Sequence, residues 1–376
     1  MKALCRHFED CGGCSIQDVA YGEQVEEKRK KLISITGCDT VDIIESPEIF
    51  GFRNKMEYSF EGENLGLHPK GRFDNVVDIK ECPVFSDWIG GFLEDVRGFA
   101  DRYSIPYYSR RKKTGVLRYL IVRESKFSGE IMVNLVVDGD SFDHSGEWAE
   151  MVKKSLPGAV SVIVSKRHKT GDSALTDDYS VAAGSGTIAM KIGNIKLDIS
   201  PYSFFQPNSY QIENMYSLIS SKIAAGRILD LYTGIGSIAL YIADKDREIL
   251  GIDSFPSCIE NANRNLEKLK SPGKIEFRES TVKSFLSLLN SSYDYIILDP
   301  PRGGISYRIW KHLARLSEET KTVKKIIYVC CSLKNLKEDI DYIRNNTGWN
   351  IISASGIDQF VHTPHLETVV EMEPVN

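Results

Sequence analysis

The sequence has no run of about 18 consecutive apolar residues, so it offers no conventional membrane-spanning helix. It has no excess of positive charge: 47 Lys and Arg stand against 52 Asp and Glu, a formal net charge of −5. A surface that is cationic all over is therefore excluded. Tandem repeats and low-complexity segments are missing, which argues against a solenoid or a disordered chain. The N-terminus carries charges and cysteines where a secretory signal needs an apolar stretch. These absences lead to the expectation of a soluble, cytoplasmic protein with no membrane partner, read here as a monomer. A length of 376 residues, 42% of them hydrophobic and 26% charged, describes a globular chain of more than one domain. Such a chain needs no disulfide staples, so its 8 cysteines call for metal binding, catalysis or burial.

Three regions follow one another. Residues 1–45 hold a cysteine loop and then Val19, Val25, Leu32 and Ile35 at roughly helical spacing among charged residues. Residues 46–200 are strand-rich. The β-branched runs 117–124 and 130–137 flank a short Ser/Gly turn, and 187–191 and 195–199 flank Gly193-Asn194, both hairpin signals. A helix is expected over 146–155, before Pro157-Gly158. Residues 201–376 change character. Strand-like runs at 227–231, 249–253, 274–277, 293–298 and 325–329 alternate with helical windows at 237–243, 257–269, 282–289, 307–316 and 335–344. That alternation predicts an α/β, Rossmann-like domain whose mostly parallel sheet is covered on both faces. Runs at 349–353 and 366–372 read as two more strands, added antiparallel at the sheet edge.

Chemistry concentrates in the third region. After its first strand comes Asp230-Leu231-Tyr232-Thr233-Gly234-Ile235-Gly236-Ser237, where glycines let the backbone approach a ligand. Asp253 ends the next strand about 20 residues on, where an acid holds ribose hydroxyls. Nicotinamide dinucleotides and S-adenosylmethionine both suit this loop. Asp299-Pro300-Pro301-Arg302-Gly303-Gly304, at the end of the fourth strand, favours the second, because it resembles the acid-Pro-Pro motif of methyltransferases acting on nucleobases or planar nitrogen. Cys330 and Cys331 end the fifth strand, ahead of a helix whose N-terminus favours thiolate. Neighbours on a strand point to opposite faces, so one of the two can serve as nucleophile. Glu367 sits among apolar neighbours in the last strand, where a carboxyl of raised pKa can act as a base.

The N-terminal loop reads Cys5-x5-Cys11-Gly12-Gly13-Cys14, with Cys82-Pro83 far downstream. Four thiolates suit an iron–sulfur cluster or zinc. Cys38 and Cys258 read as ordinary buried cysteines. Basic clusters occur at Lys28-Arg29-Lys30-Lys31, at Arg110-Arg111-Lys112-Lys113 after Tyr107-Tyr108, and at Lys166-Arg167-His168-Lys169. Each is more often a solvated face than a binding site. The run 107–113 is the best RNA candidate, because stacking and phosphate contacts can coincide there.

These motifs together resemble the RNA uracil-C5 methyltransferase family, class I enzymes that make 5-methyluridine in ribosomal or transfer RNA. The matching pieces are Ser203-Phe204-Phe205-Gln206-Pro207-Asn208, the glycine loop, Gly251-Ile252-Asp253, the Asp299 loop, Tyr328-Val329-x-Cys331 and His362-Thr363-x-His365-x-Glu367, in family order from about residue 200. The resemblance implies Cys331 as nucleophile and Glu367 as base. It implies S-adenosylmethionine contacts from Gln206, Tyr232 and Asp253, and from Asp299 beside the loop residues Gly234, Gly236 and Ser237. It also implies a [4Fe–4S] cluster on Cys5, Cys11, Cys14 and Cys82, an RNA partner, and a short member without the family's OB-like N-terminal domain. Gly51-Phe52-Arg53-Asn54-Lys55 matches a family segment too, and Phe204 or Phe205 could stack on a flipped base. The chain departs from the family's Ser-Cys-Asn-Pro at Cys330-Cys331-Ser332-Leu333, and has Thr233 where the glycine loop usually has Cys. A catalytically silent RNA-binding iron–sulfur protein is the alternative, and a nicotinamide-dependent oxidoreductase a third reading.

Overall fold

The computed structural model describes residues 3–72, 75–167, 174, 176, 178–269, 273–289 and 291–375. By compactness the chain divides into two units. One comprises Met1–Ala20, Glu48–Lys191 and Asp198–Ser209; the other comprises Tyr21–Pro47, Ile192–Leu197 and Tyr210–Asn376.

The first unit is built on a seven-stranded sheet. Its order is Val77–Asp78, Asn64–Leu67, Lys55–Glu61, Leu117–Glu124, Ile131–Val137, Ala159–Lys166, Tyr179–Gly184. All neighbours are antiparallel except Ile131–Val137 and Ala159–Lys166, which run parallel and are joined through helix Ser145–Ser155. A parallel pair requires such a crossover. Leu117–Glu124 and Ile131–Val137 form the expected hairpin and are buried almost throughout. Helix Ile89–Arg102 packs Phe92, Val96 and Phe99 into the same core as Phe60, Phe85 and Trp148. Ile188–Ile192 and Ile195–Ile199 form a separate two-stranded sheet.

The second unit carries an eight-stranded sheet. Its order is Asp42–Ile44, Trp349–Ile357, Glu367–Pro374, Lys325–Cys330, Tyr295–Leu298, Gly226–Leu231, Arg247–Asp253, Lys274–Glu279. The α/β class expected from the alternation is borne out, with parallel pairing from Lys325–Cys330 through Lys274–Glu279. The two tail strands differ from the simple edge addition. Glu367–Pro374 inserts antiparallel between Lys325–Cys330 and Trp349–Ile357, and Asp42–Ile44 forms the edge. Helix Tyr21–Thr36 contributes Val25 and Leu32 to this unit's core, although it follows the cysteine loop in sequence.

The strand order reverses between Gly226–Leu231 and Tyr295–Leu298: chain connections run to one side from the first and to the other from the second. Ligands of open α/β sheets bind beyond the strand carboxyl ends at such a switch point. Asp339, on helix Leu333–Asn346, braces the strand that leads there. It accepts from Trp310 Nε1 at 2.9 Å and from Tyr328 Oη, and Trp310 and Tyr328 pack edge to face at 5.3 Å. Among the described residues no helix is long and apolar enough to cross a membrane.

Candidate active site

The glycine loop leaves the first strand at Leu231 through three left-handed residues: Tyr232 at φ 66°, Gly234 at φ 55° and Gly236 at φ 76°. Gly236 caps the short helix Ser237–Tyr241. A Cβ on Gly236 would stand 2.4 Å from Phe277 Cζ, whereas one on Gly234 would meet nothing within 4 Å. The loop is closed by acids at both strand ends. Gly234 N donates to Asp253 Oδ2 at 2.9 Å and Phe255 N to Asp253 Oδ1 at 3.0 Å. Thr233 Oγ1 donates to Asp230 Oδ2 at 2.6 Å, while the buried Asp230 Oδ1 has no partner. Burial pushes Asp230 up to about 7, with Asp253 adding to the rise against the Thr233 hydrogen bond.

The loop 299–304 begins at the neighbouring strand's carboxyl end. Gly304 N returns to Pro301 O at 2.9 Å, and Asn335 Nδ2 donates to Arg302 O at 2.8 Å. Burial, then the nearby Asp230, push Asp299 up to about 7. The open space at Gly234, the unpartnered Asp230 oxygen and the lone pairs left on Asp253 fit a polar nucleoside ligand.

The strand ends at Cys330, so Cys331 lies just past the pleat, and the two cysteines differ in burial. Cys330 is buried, its thiol directed at Ser332 O at 3.3 Å. Cys331 is half-buried, just before Ser332, whose Oγ caps helix Leu333–Asn346 by accepting from Asn335 N at 3.3 Å. Burial pushes the Cys331 thiol up to about 12. Glu367, Cys330 and Asp299 add to the rise, and Arg302 opposes it. Glu367 is buried, and burial together with Asp299 raises its carboxyl well above the usual range against the pull of Arg302. Glu367, Asp299 and Arg302 thus all bear on the Cys331 thiol, and Asp299 and Arg302 on the Glu367 carboxyl. The guanidinium of Arg302 also lies 5.8 Å from the centre of the Phe360 ring.

Sequence reasoning missed Tyr216, whose Oη lies 2.8 Å from Ser237 Oγ and whose ionisation is opposed chiefly by burial and then by Asp299, Asp230 and Glu367. Its helix, Ile212–Ser221, carries no motif; only the placement of a buried tyrosine on an apolar face could have pointed to it. Gln206 belongs to the first unit. It is buried, its carbonyl accepts from Asn54 Nδ2 at 2.8 Å, and its Oε1 has no partner. Asn54 N also reaches Pro207 O, and Arg53 bridges Asn208, so two of the quoted segments meet there. Phe204 is 66% exposed and Phe205 is buried, so only Phe204 is free to stack.

Packing divides the basic runs. Tyr107 packs edge to face on Phe60 at 4.8 Å, and Tyr108 is buried under Arg118, 4.2 Å from its ring centre. Arg111, Lys112 and Lys113 remain exposed. Lys28 is no solvated residue; it is 1% exposed and paired with Asp358. His168 and Lys169 lie outside the described residues.

Cys5, Cys11, Cys14 and Cys82 all belong to the first unit. Burial pushes Cys14 and Cys82 up to about 12. The thiols Cys11 and Cys5 add to the rise at Cys14, those of Cys14, Cys11 and Cys5 at Cys82, and Arg53 opposes both. Gly12 N donates to His68 O at 2.9 Å, and a Cβ there would stand 2.9 Å from that same oxygen. Among the described residues no group of three or more His, Cys, Asp or Glu side chains forms a metal-binding arrangement. Cys38 and Cys258 are half-buried rather than buried.

A parallel sheet with one inserted antiparallel strand, a glycine loop at the switch point and an acid-Pro-Pro loop beside it define a class I S-adenosylmethionine-dependent methyltransferase. Residues 125–374 match the tRNA (uracil-5-)-methyltransferase family. A Pyrococcus horikoshii tRNA (uracil(54)-C(5))-methyltransferase is 33% identical over 373 residues, covering 98% of this chain and 85% of the relative. An uncharacterized RNA methyltransferase of Thermotoga maritima is 32% identical, covering 99% and 84%. The crystal structure of the Pyrococcus abyssi tRNA (uracil-54, C5)-methyltransferase with S-adenosyl-L-homocysteine superposes with a TM-score of 0.81 at 30% identity, over 96% of this chain and 86% of that one. The chain belongs to the tRNA (uracil-5-)-methyltransferase family, and its activity is S-adenosylmethionine-dependent methylation of uracil C5 in RNA.

Proposed function

We propose that Cys331 is the nucleophile and Glu367 the base, and that the substrate is a uridine of transfer RNA, position 54 being favoured by the names of the Pyrococcus relatives. The observation that carries the residue roles is that Cys331 and Glu367 each lie one residue past the last pair of their ladder, at the end of the sheet where Asp299 follows the neighbouring strand. Uracil C5 is a poor nucleophile. The Cys331 thiolate adds to C6, forming S–C6 and moving the C5–C6 π electrons into an enolate. Bound S-adenosylmethionine supplies an electrophilic methyl group, which C5 takes as the sulfonium carbon–sulfur bond breaks. Glu367 then removes the C5 proton; its electron pair restores C5–C6 and expels the Cys331 thiolate. Gly234, Gly236, Ser237, Tyr232, Asp253 and Asp299 are the proposed cofactor contacts, with Asp253 holding ribose hydroxyls. The same reading takes the enzyme as a cytoplasmic monomer.

Incubation with labelled S-adenosylmethionine and unmodified transfer RNA should label C5 of one uridine. Label on ribosomal RNA alone would replace the substrate.

Cys5, Cys11, Cys14 and Cys82 are the proposed ligands of a [4Fe–4S] cluster. The mutual electrostatic influence of these thiols and the nearby Arg53 cation, suited to a net negative cluster, support the reading. Its role is structural or in RNA handling, because the methyl transfer consumes no electrons. Anaerobic protein should be brown and contain iron and sulfide; colourless protein rich in zinc would assign the thiolates to zinc instead.

A further inference from the structure

Helix Tyr21–Thr36 reaches the loop that leads into Glu367 through two side chains one turn apart. Gln24 grips a single residue at two points. Its Oε1 accepts from His362 N at 3.1 Å, and its Nε2 lies 3.2 Å from His362 Nδ1. Lys28 Nζ donates to Asp358 Oδ1 at 2.7 Å and to Phe360 O at 3.3 Å. Gln24, Lys28, Asp358 and His362 are all at least 98% buried. Positions i and i+4 share one helix face, so the helix presents both groups to the loop together.

The loop so held is otherwise irregular. His362 sits at φ 64°, a conformation costly for a residue with a Cβ, and Gln24 bonds that residue's own backbone N–H. Phe360 O, already bound by Lys28, also accepts from Thr363 Oγ1 at 2.7 Å, and Thr363 Oγ1 accepts from His365 N at 3.2 Å. The chain between Asp358 and His365 is thus knitted to itself and tied to the helix. It then enters the sheet at Leu366, which is fully buried, and Glu367.

We infer that Gln24 and Lys28 are positioning residues, which fix the loop 358–362 and through it the carboxylate of Glu367 relative to the base it deprotonates. Neither touches the reacting atoms. Buried polar groups this costly to desolvate could have been replaced by apolar packing if holding the helix on the sheet were their whole task. Each instead meets one backbone group and one side chain of the loop: Gln24 takes His362 N–H and Nδ1, and Lys28 takes Phe360 O and Asp358 Oδ1.

The inference rests on the proposed role of Glu367, and its test separates the two. The full-length protein is used, as Gln24→Leu, Lys28→Met and Glu367→Gln. Adduct formation is measured on transfer RNA containing 5-fluorouridine, where C5 carries fluorine and no proton can be removed. Adduct breakdown is measured on ordinary transfer RNA as decay of the covalent band. Gln24→Leu, which removes no charge, should form the fluorinated adduct within about twofold of the parent rate and release ordinary RNA roughly tenfold more slowly. Lys28→Met should act in the same direction. Thermal melting and S-adenosylhomocysteine affinity report on folding. Formation and breakdown falling together, or neither changing in Gln24→Leu, would overturn the positioning role even if Lys28→Met does not fold. If Glu367→Gln accumulates adduct and Gln24→Leu does not, only the positioning role is lost. If Glu367→Gln accumulates none, the base assignment fails, and the positioning role with it.

Discussion

Cys331 and Glu367 each lie one residue beyond the last pair of an antiparallel ladder. The antiparallel ladder pairs Val329 with Val369 and Cys330 with Thr368, and Thr368 Oγ1 donates to Cys330 O at 2.9 Å. Two groups 36 positions apart in sequence thereby come to the same end of the sheet, where the ladder stops and the ligand crevice begins.

The two cysteines should separate cleanly on mutation. Cys331→Ala should abolish both methyl transfer and the covalent RNA band. Cys330→Ala should keep activity within a few-fold and cost about 1 kcal/mol of stability, the loss of one buried sulfur. Labelled methyl transfer and denaturant titration check both. The opposite pattern would move the nucleophile to Cys330.

Adduct formation should accelerate with pH. The attacking species is the thiolate, and a thiol held at about 12 is protonated at neutrality. The rate constant on fluorinated RNA should rise roughly tenfold per pH unit between about pH 6 and 8. A flat profile would mean that the proton passes to a group within the site.

The loop glycines should fail for different reasons. Gly236→Ala adds left-handed strain to a 2.4 Å clash with Phe277 and should cost about 2–4 kcal/mol of stability. Gly234→Ala meets no atom and should cost about 1 kcal/mol, from backbone strain alone. Its methyl group projects into open space, so S-adenosylhomocysteine affinity should still drop about tenfold or more. Titration calorimetry paired with denaturation distinguishes the two.

Glu371 should make the second unit acid-sensitive. Burial alone would raise its carboxyl, but Lys325, Lys222 at 2.9 Å and Ser353 at 2.8 Å outweigh it and hold it at about 2. A depressed folded-state pKa stabilises above the ordinary carboxylate pKa, and that contribution fades as pH falls toward about 2. Glu371→Gln should lower stability at pH 7 by about 1–2 kcal/mol, allowing for solvent screening, with the deficit closing in acid. An equal deficit at pH 7 and pH 3 would point to packing.

What the chain determined by itself lies within short windows. The hairpin 117–137, the alternating strands and helices from residue 226 and the turn at Gly234 and Gly236 are written in periodicity and turn chemistry a few residues long. The acid-Pro-Pro loop and the N-terminal cysteines are equally local. Tertiary structure decided everything that depends on a distant partner. The last strand inserts between two others because it pairs on both edges, which no local pattern encodes. Lys28 resembles its solvated neighbours Arg29, Lys30 and Lys31, and only Asp358, 330 positions away, makes it a buried ion. Phe204 and Phe205, like Tyr107 and Tyr108, are alike in sequence and divided by packing. Between Cys330 and Cys331 the sequence offered two adjacent thiols; packing buries the first and leaves the second half-buried, and the final strand brings the Glu367 carboxyl to the same end of the sheet.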